Sequence, residues 1–291
     1  MRYLFLALTV VLVSLQSACA KEYNKKRGGP LMYAAITVFF AILVFLLSFF
    51  VTTDGRFHLS WETLRYSLLF AVSYGGATIG TIFAIRYGSL SLTSLLTSFS
   101  LLIPTFYGIW ALKEETGALL YGGLVLLLVS LLLVNLEKKE NKTERASSPN
   151  SLKWVVCVAL SFVGNGVCAT TQKVQQIHQQ GMYKNEFMIV ALSIVCLVTL
   201  ILSLIVEKNP LKSIKDGIVS GGIRGLANGA ANLLVLTLAL SMSASVMFPV
   251  ISGGGIALTS VIALTVYREK LSAKQILGLI LGIASVVLLN V

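Results

Sequence analysis

One stretch of this sequence occurs twice, and the two copies lie 155 residues apart. Residues 113–136 and 268–291 are identical at 8 of 24 aligned positions, three of which are leucines that any two apolar helices share by chance. The informative identities are four pairs of charged, small or polar residues: Glu114/Glu269, Gly123/Gly278, Ser130/Ser285 and Asn135/Asn290. Because an internal repeat constrains the whole architecture, we expect a protein made of two related halves.

Ten apolar runs of 18 residues or more account for most of the chain, and about 20 helical residues cross the hydrocarbon core of a bilayer. Charged residues make up only 12% of the sequence, whereas soluble domains carry about 25%. We therefore predict an all-α integral membrane protein with ten transmembrane helices. The predicted spans cover residues 3–20, 31–52, 66–85, 92–112, 117–136, 154–171, 187–206, 218–240, 244–267 and 272–291.

A polar, charged segment at residues 137–150 divides the spans into two groups of five. Residues 1–136 and 151–291 would then be two five-helix repeats, and an odd number of spans places the second repeat upside down relative to the first. Lysines and arginines favour one set of joints by sixteen to six, with Arg224 inside a span. By the positive-inside rule both termini lie outside the cytoplasm, and we expect a multi-pass protein of the plasma (inner) membrane.

The first 20 residues also resemble a secretory signal, because Arg2 precedes an apolar run that ends in a small-residue segment at 18–20. Nine further apolar runs follow, so a retained first membrane helix is the interpretation that we favour.

Several functional classes lack their signatures in this sequence. There is no phosphate-binding loop, nucleophile elbow, zinc-protease pair or carboxylate couple within a span. The four cysteines and two histidines do not have metal-ligand spacing. The net charge of +11 is spread over short joints rather than one basic face, which argues against a nucleic-acid partner. We expect no enzymatic activity, no cofactor and no metal, although an enzyme acting on a lipid at the membrane surface stays open.

The strongest candidate site lies in the predicted eighth span. Arg224, Asn228 and Asn232 are four residues apart and therefore share one face of a helix. A charge inside a membrane is costly, so it should face protein or a water-filled cavity. One interpretation is an arginine that reaches the interface from a misplaced span boundary. The other is a cation that binds a carboxylate or phosphate of a substrate.

Four more polar residues are candidates for the lining of the same cavity. Gln16 and Gln172 occupy nearly equivalent positions of the two halves, while Tyr74 lies in the third span and Asn165 in the sixth. Together with Arg224, Asn228 and Asn232, they come from the first and third helix of each half. Alternatively, each of them only bonds a neighbouring helix. Small residues also recur every four positions in two spans, which predicts close helix packing; they are Gly76, Gly80, Ala84 and Gly88, and Gly217, Gly221, Gly225 and Gly229.

Helix breakers mark the fourth and ninth spans. Pro104 and Pro249 cannot donate a backbone hydrogen bond, and Gly253 and Gly254 weaken the ninth span further. Broken membrane helices are tolerated where the freed groups meet protein, water or a ligand. We expect helix breaks with a gating role at these four residues, with kinked packing as the alternative.

Residues near the C-terminus resemble a known family. Pro249, the segment Arg268-Glu-Lys-Leu-Ser-x-x-Gln-x-x-Gly278 and a final apolar helix are similar to the EamA-type repeat of the drug/metabolite transporter superfamily. The first half echoes this pattern with Pro104, Glu114 and Gly123. It departs from the pattern at Leu120, where Gln275 of the second half predicts a glutamine, and in a proline-to-glutamate separation of 10 residues instead of 20.

The resemblance implies a carrier with a cavity between inverted halves that works by alternating access. Because no carboxylate falls inside a predicted span, a proton exchange centred on a membrane carboxylate is not expected. We predict a secondary transporter of a small polar or anionic metabolite that works in the lipid bilayer; whether it forms a homodimer stays open. The alternatives are a flippase or carrier for a lipid-linked substrate and a non-transporting assembly factor.

Overall fold

The computed structural model of the protein describes residues 1–26, 28–53, 55–88, 90–115, 117–136, 152–268 and 272–289. All regular secondary structure in these ranges is helical. The α-helices are α1 (Arg2–Lys25), α2 (Pro30–Thr52), α3 (Trp61–Tyr87), α4 (Leu90–Ser98), α5 (Leu102–Trp110), α6 (Ala118–Leu136), α7 (Leu152–His178), α8 (Lys184–Val206), α9 (Pro210–Leu238), α10 (Ala244–Thr265) and α11 (Ala273–Leu289), with a 3-10 turn at Phe99–Leu101. The predicted linker at residues 137–150 lies outside the described residues.

Each of the ten predicted spans coincides with helix, which confirms the all-α class. Six helices, α1, α2, α3, α7, α8 and α10, are long and apolar enough to cross a membrane. The apolar parts of α6 and α11 are shorter, at Ala118–Val134 and Ala273–Leu289. These helices fit a multi-pass membrane protein, while the count of ten spans and the inverted arrangement stay predictions.

Helix breaks were predicted in the fourth and ninth spans, and the structure differs between these two places. The span predicted at 92–112 is divided into α4 and α5 by the 3-10 turn at Phe99–Leu101, which ends just before the helix that contains Pro104. Proline cannot donate to the carbonyl of Ser100, four residues earlier, and this accounts for a break here. By contrast, α10 stays helical through Pro249 and through Gly253 and Gly254.

The described residues form two compact units, and each unit takes helices from both halves of the sequence. Unit 1 comprises residues 1–75 and 171–241, and unit 2 comprises residues 76–170 and 242–291. The long helices α3 and α7 contribute to both. The predicted repeats at 1–136 and 151–291 are defined by sequence similarity, whereas the units are defined by spatial contact. The repeats therefore stay a prediction.

In unit 1, α9 packs against α1 and α2, and α2 also packs against α8. The α9 glycines that were predicted to allow close packing, Gly217, Gly221, Gly225 and Gly229, lie at its contacts with α1 and α2. A Cβ at Gly229 would lie 2.8 Å from the carbonyl oxygen of Ala41, and one at Gly225 would overlap the carbonyl of Thr37. Helix backbones approach this closely only where side chains are absent.

In unit 2, the two copies of the sequence repeat pack against each other as α6 and α11. A Cβ at Gly123 would meet Leu289, and one at Gly278 would meet Val134. Gly278 follows Gly123 by 155 residues, and Leu289 follows Val134 by the same 155. The two contacts therefore join equivalent positions of the repeat with the two copies exchanged. The backbone repeats as well, because Lys113 and Arg268 both have positive φ, 53° and 49°. Of the repeated residues, Glu269 and Asn290 lie outside the described residues.

Two helix starts are capped by distant glutamates. Glu114 accepts hydrogen bonds at the start of α10 from the backbone N–H groups of Ala244 (2.6 Å) and Ser245 (2.9 Å), and from the Ser245 hydroxyl (2.8 Å). Glu207, directly after α8, accepts from Leu31 (2.6 Å) and Met32 (3.3 Å) in the first turn of α2. A carboxylate at a helix N-terminus satisfies free N–H groups and offsets the positive end of the helix dipole.

Candidate substrate-binding site

Arg224 lies in the middle of α9. The sequence predicted that this helix begins at residue 218, but it begins at Pro210, where a proline suits the first helical position. The first turns of α9 contain Lys212, Lys215 and Asp216. These residues are too polar to be assigned to a span, so the prediction began after them. Arg224 is consequently 14 residues from each end, or about 21 Å at 1.5 Å per residue. It does not lie near the end of the helix.

The guanidinium of Arg224 lies over an aromatic pair. Its Cζ is 5.4 Å from the centroid of the Tyr33 ring, and Tyr33 stacks on Tyr23 with centroids 3.9 Å apart and planes within 5°. Glycines on α9 make room for these rings, since a Cβ at Gly221 would lie 3.2 Å from Tyr33 and one at Gly217 would lie 2.9 Å from Tyr23. A cation over a ring face is attracted by the ring quadrupole.

Arg224 makes no ion pair within the described part of the chain. Arg224 itself is half-buried, and its Nε is buried without a hydrogen-bond partner. The attraction of the aromatic ring therefore compensates the charge only in part.

Four of the predicted site residues are joined by hydrogen bonds into one row, which we call the amide chain. Gln172 donates to the Oδ1 of Asn232 at 2.7 Å, Asn232 donates to the Oδ1 of Asn228 at 3.3 Å, and Asn228 donates to the Oε1 of Gln16 at 2.9 Å. Gln16 in turn donates to the carbonyl of Leu12 at 3.3 Å. The bonds all point the same way, from α7 across α9 to α1, so that each polarises the next.

The remaining predicted residues lie elsewhere. Tyr74 belongs to unit 1 and stacks on Phe70, with ring centroids 5.5 Å apart. Asn165 belongs to unit 2, where its side-chain nitrogen donates to the carbonyl of Ser161 at 2.9 Å, a local bond within α7. The four residues predicted to break helices, Pro104, Pro249, Gly253 and Gly254, also belong to unit 2.

Sequence reasoning missed the polar end of α7. The span was predicted to end at residue 171, but the helix continues to His178. Lys173 is 5% exposed and donates to the carbonyl of Ala239, directly after α9, at 2.5 Å; a cation is favourable at the negative end of a helix dipole. The sequence pattern that indicates this longer helix is a set of glutamines spaced three and four residues apart on one helix face. All four are buried: Gln172, Gln175, Gln176 and Gln179.

The glutamines beyond the amide chain form a second network that ties α7 to α3. Gln175 donates to Gln179 at 2.7 Å, and Gln179 donates to the hydroxyl of Thr63 at 2.9 Å. Buried polar side chains are tolerated when they are bonded in this way. This network positions the start of the amide chain.

Glu207, directly after α8, has a raised carboxyl pKa. Burial raises the pKa of its carboxyl, and the hydrogen bonds from the Leu31 and Met32 amides oppose that rise.

As for metals, no group of three or more His, Cys, Asp and Glu side chains suited to an ion occurs in the described ranges.

No family model and no curated protein matches the chain. Twenty-eight chains of solved structures do match it. One of them, described only as "Crystal structure of protein", has a TM-score of 0.80 over 99% of this chain and 96% of its own, at 9% sequence identity. The fold has been seen before. At such low identity the likeness shows the fold alone.

Proposed function

We propose that the protein is a secondary carrier that moves a small polar or anionic metabolite across the plasma (inner) membrane by alternating access. The observation that carries this proposal is Arg224, a cation at the centre of a helix. It makes no ion pair with any described residue and stands one turn from Asn228 of the amide chain. An intramembrane charge is costly unless it has a function or a partner. An anionic solute would supply the missing counter-charge.

The amide chain supports a polar solute. Each side-chain amide has two donor hydrogens and two acceptor lone pairs, and the bonds of the amide chain use only part of this capacity. Asn228 and Asn232 follow Arg224 at intervals of four residues on one face of α9, and both are half-buried. A solute whose anionic group meets Arg224 can therefore extend its hydroxyl, amide or amino groups along this face.

We propose further that the carrier is of the EamA type, with ten spans in two inverted repeats. The exchange of equivalent positions between α6 and α11 and the matched positive φ of Lys113 and Arg268 support this. Secondary carriers built from inverted repeats commonly place the substrate near the middle of the membrane, and Arg224 occupies the middle of its helix.

The test is uptake into proteoliposomes that contain the purified full chain, using a panel of radiolabelled anionic, zwitterionic and neutral metabolites. We expect saturable uptake of at least one anionic solute and a loss of at least tenfold in kcat/KM for Arg224→Gln. Lys212→Gln is the matched control, since it removes one positive charge from an exposed position of the same helix.

Equal uptake by the wild type and Arg224→Gln would contradict the assignment of the site. Movement of a fluorescent lipid-linked substrate between leaflets, without uptake of any soluble solute, would contradict the carrier and favour a flippase.

A further inference from the structure

Three buried polar atoms face one another beside the amide chain. They are the Oη of Tyr33, the Oγ of Ser220 and the Nε of Arg224, and we call them the hydroxyl–arginine triad. Ser220 and Arg224 both interact with the Tyr33 side chain, but none of the three atoms has a well-aligned hydrogen-bond partner among the described residues. Tyr33 is 4% exposed. Buried polar groups in folded proteins are nearly always satisfied, so this cluster has hydrogen-bonding capacity that a bound group can use.

The local structure holds the triad in place. Ser220 and Arg224 are four residues apart and lie one above the other on α9. The Tyr33 ring stacks on Tyr23, whose hydroxyl donates to the carbonyl of Gly29 at 2.9 Å. Because these side chains are fixed before anything binds, little conformational entropy is lost on binding.

The chemistry of the triad selects an acceptor that carries a negative charge. The Nε–H of arginine is always a donor, and each of the two hydroxyls can turn its hydrogen toward the same point. A carboxylate has two oxygens with about four acceptor positions and one negative charge. Arg224 is the cation that acts on the Tyr33 hydroxyl, so a monoanion leaves no excess charge, whereas a phosphate dianion would.

We infer that the hydroxyl–arginine triad binds a carboxylate group of the solute, so that the carrier recognises a monocarboxylate. This inference rests on the proposed function for transport, whereas the binding step is measured on the isolated protein. The rest of the solute would then meet the amide chain, which begins one helical turn further along α9.

The experiment is a titration of the purified full chain with sodium acetate, sodium phosphate and sodium chloride at matched ionic strength, followed by thermal unfolding. A ligand that binds only the folded state raises the unfolding temperature, because at free concentration L it stabilises that state by RT ln(1 + L/Kd). We expect acetate to stabilise the wild type at lower concentration than phosphate or chloride does. For Tyr33→Phe and Ser220→Ala the Kd for acetate should rise about tenfold or more, since each removes a hydrogen bond to a charged group.

Two controls separate the triad from general effects. Tyr107→Phe and Ser17→Ala remove the same hydroxyls at positions in α5 and α1 outside the triad and should leave the Kd for acetate unchanged. Without acetate, Tyr33→Phe and Ser220→Ala should be at least as stable as the wild type, because an unsatisfied buried hydroxyl has been removed. A merely structural role for these hydroxyls predicts the opposite.

Three results would overturn the inference: no stabilisation by acetate, stabilisation by phosphate at equal or lower concentration, or unchanged acetate affinity in both variants. Its failure can be told apart from failure of the carrier. If the proteoliposomes take up anions but neither variant alters KM for carboxylates, the triad assignment fails and the carrier stands. If acetate binds as expected but no solute is taken up, the carrier fails and the binding site stands.

Discussion

Glu207 accepts a hydrogen bond of 2.6 Å from the backbone N–H of Leu31, and so joins the end of α8 to the start of α2. The joint is reinforced by Ser213, whose hydroxyl accepts from the N–H of Gly29 at 2.8 Å. A side chain at Gly29 would overlap the Glu207 carboxylate. Glu207 and Ser213 therefore fix how the start of α2 meets the end of α8 and the first turn of α9.

The stability of this joint should depend on pH. Burial raises the pKa of the Glu207 carboxyl in the folded protein, so the folded state keeps its proton to higher pH than the unfolded chain does. The free energy of unfolding should therefore fall as pH rises from the ordinary carboxyl range through the raised pKa. Thermal unfolding of the wild type and Glu207→Gln between about pH 4 and pH 7 checks this, and the variant should show a flatter profile.

Glu22→Gln serves as the control for that series, because Glu22 is exposed and pairs with Lys25 on the surface of α1. Its profile should follow that of the wild type. If Glu207→Gln keeps the full slope of the wild type, another group is responsible for the pH dependence.

Removal of the cap on α10 should destabilise the protein. Glu114→Ala leaves the N–H groups of Ala244 and Ser245 without the carboxylate that they contact, and hydrogen bonds to charged groups contribute about 1.5–3 kcal/mol. We expect a loss of that size in the free energy of unfolding, measured by denaturant titration in mild detergent. The neighbouring Glu115 is exposed, so Glu115→Ala should have almost no effect. Similar losses for the two variants would show that the cap does not contribute.

The close approach of α9 to α2 should tolerate no side chain at Gly225. A Cβ there would overlap the carbonyl of Thr37, and overpacking costs about 1–3 kcal/mol. Gly122, in α6, has no atom within 4 Å of the position that a Cβ would take, so replacing it by alanine should stabilise the helix by up to about 1 kcal/mol. Thermal unfolding of Gly225→Ala and Gly122→Ala should therefore show shifts of opposite sign, and a stabilising Gly225→Ala would contradict the observed packing.

Local patterns explain what could be read from the sequence. The spacing of Arg224, Asn228 and Asn232 placed them on one helix face, and glycines four apart marked the contacts of α9 with α2. Repeat pairs such as Gly123 and Gly278 identified two related helices, and these pack together in the structure. In each case the relevant residues are close in sequence or related by a constant shift.

Other features depend on residues with no local pattern between them. Tyr33 approaches Arg224 only because the chain folds, so nothing in the sequence around either residue indicated the aromatic stack. Hydropathy ends a span where polar residues begin, which explains why the buried glutamines of α7 and the first turns of α9 were assigned to loops. The division into two units was also not predicted, because it follows from tertiary packing of helices taken from both halves.

A carboxylate placed next to Arg224 should compete with the solute for it. Asn228→Asp changes almost no volume, and the new carboxylate can still accept from Asn232, while the Gln16 amide can turn to donate to it. An opposite charge four residues from Arg224 lies on the same helix face and supplies the counter-charge that an anionic solute would otherwise bring. We expect kcat/KM for anionic solutes in proteoliposomes to fall at least tenfold, with no loss of thermal stability. Asn24→Asp, at an exposed position of α1, should transport as the wild type does. Undiminished anion uptake by Asn228→Asp would show that Arg224 does not contact the solute.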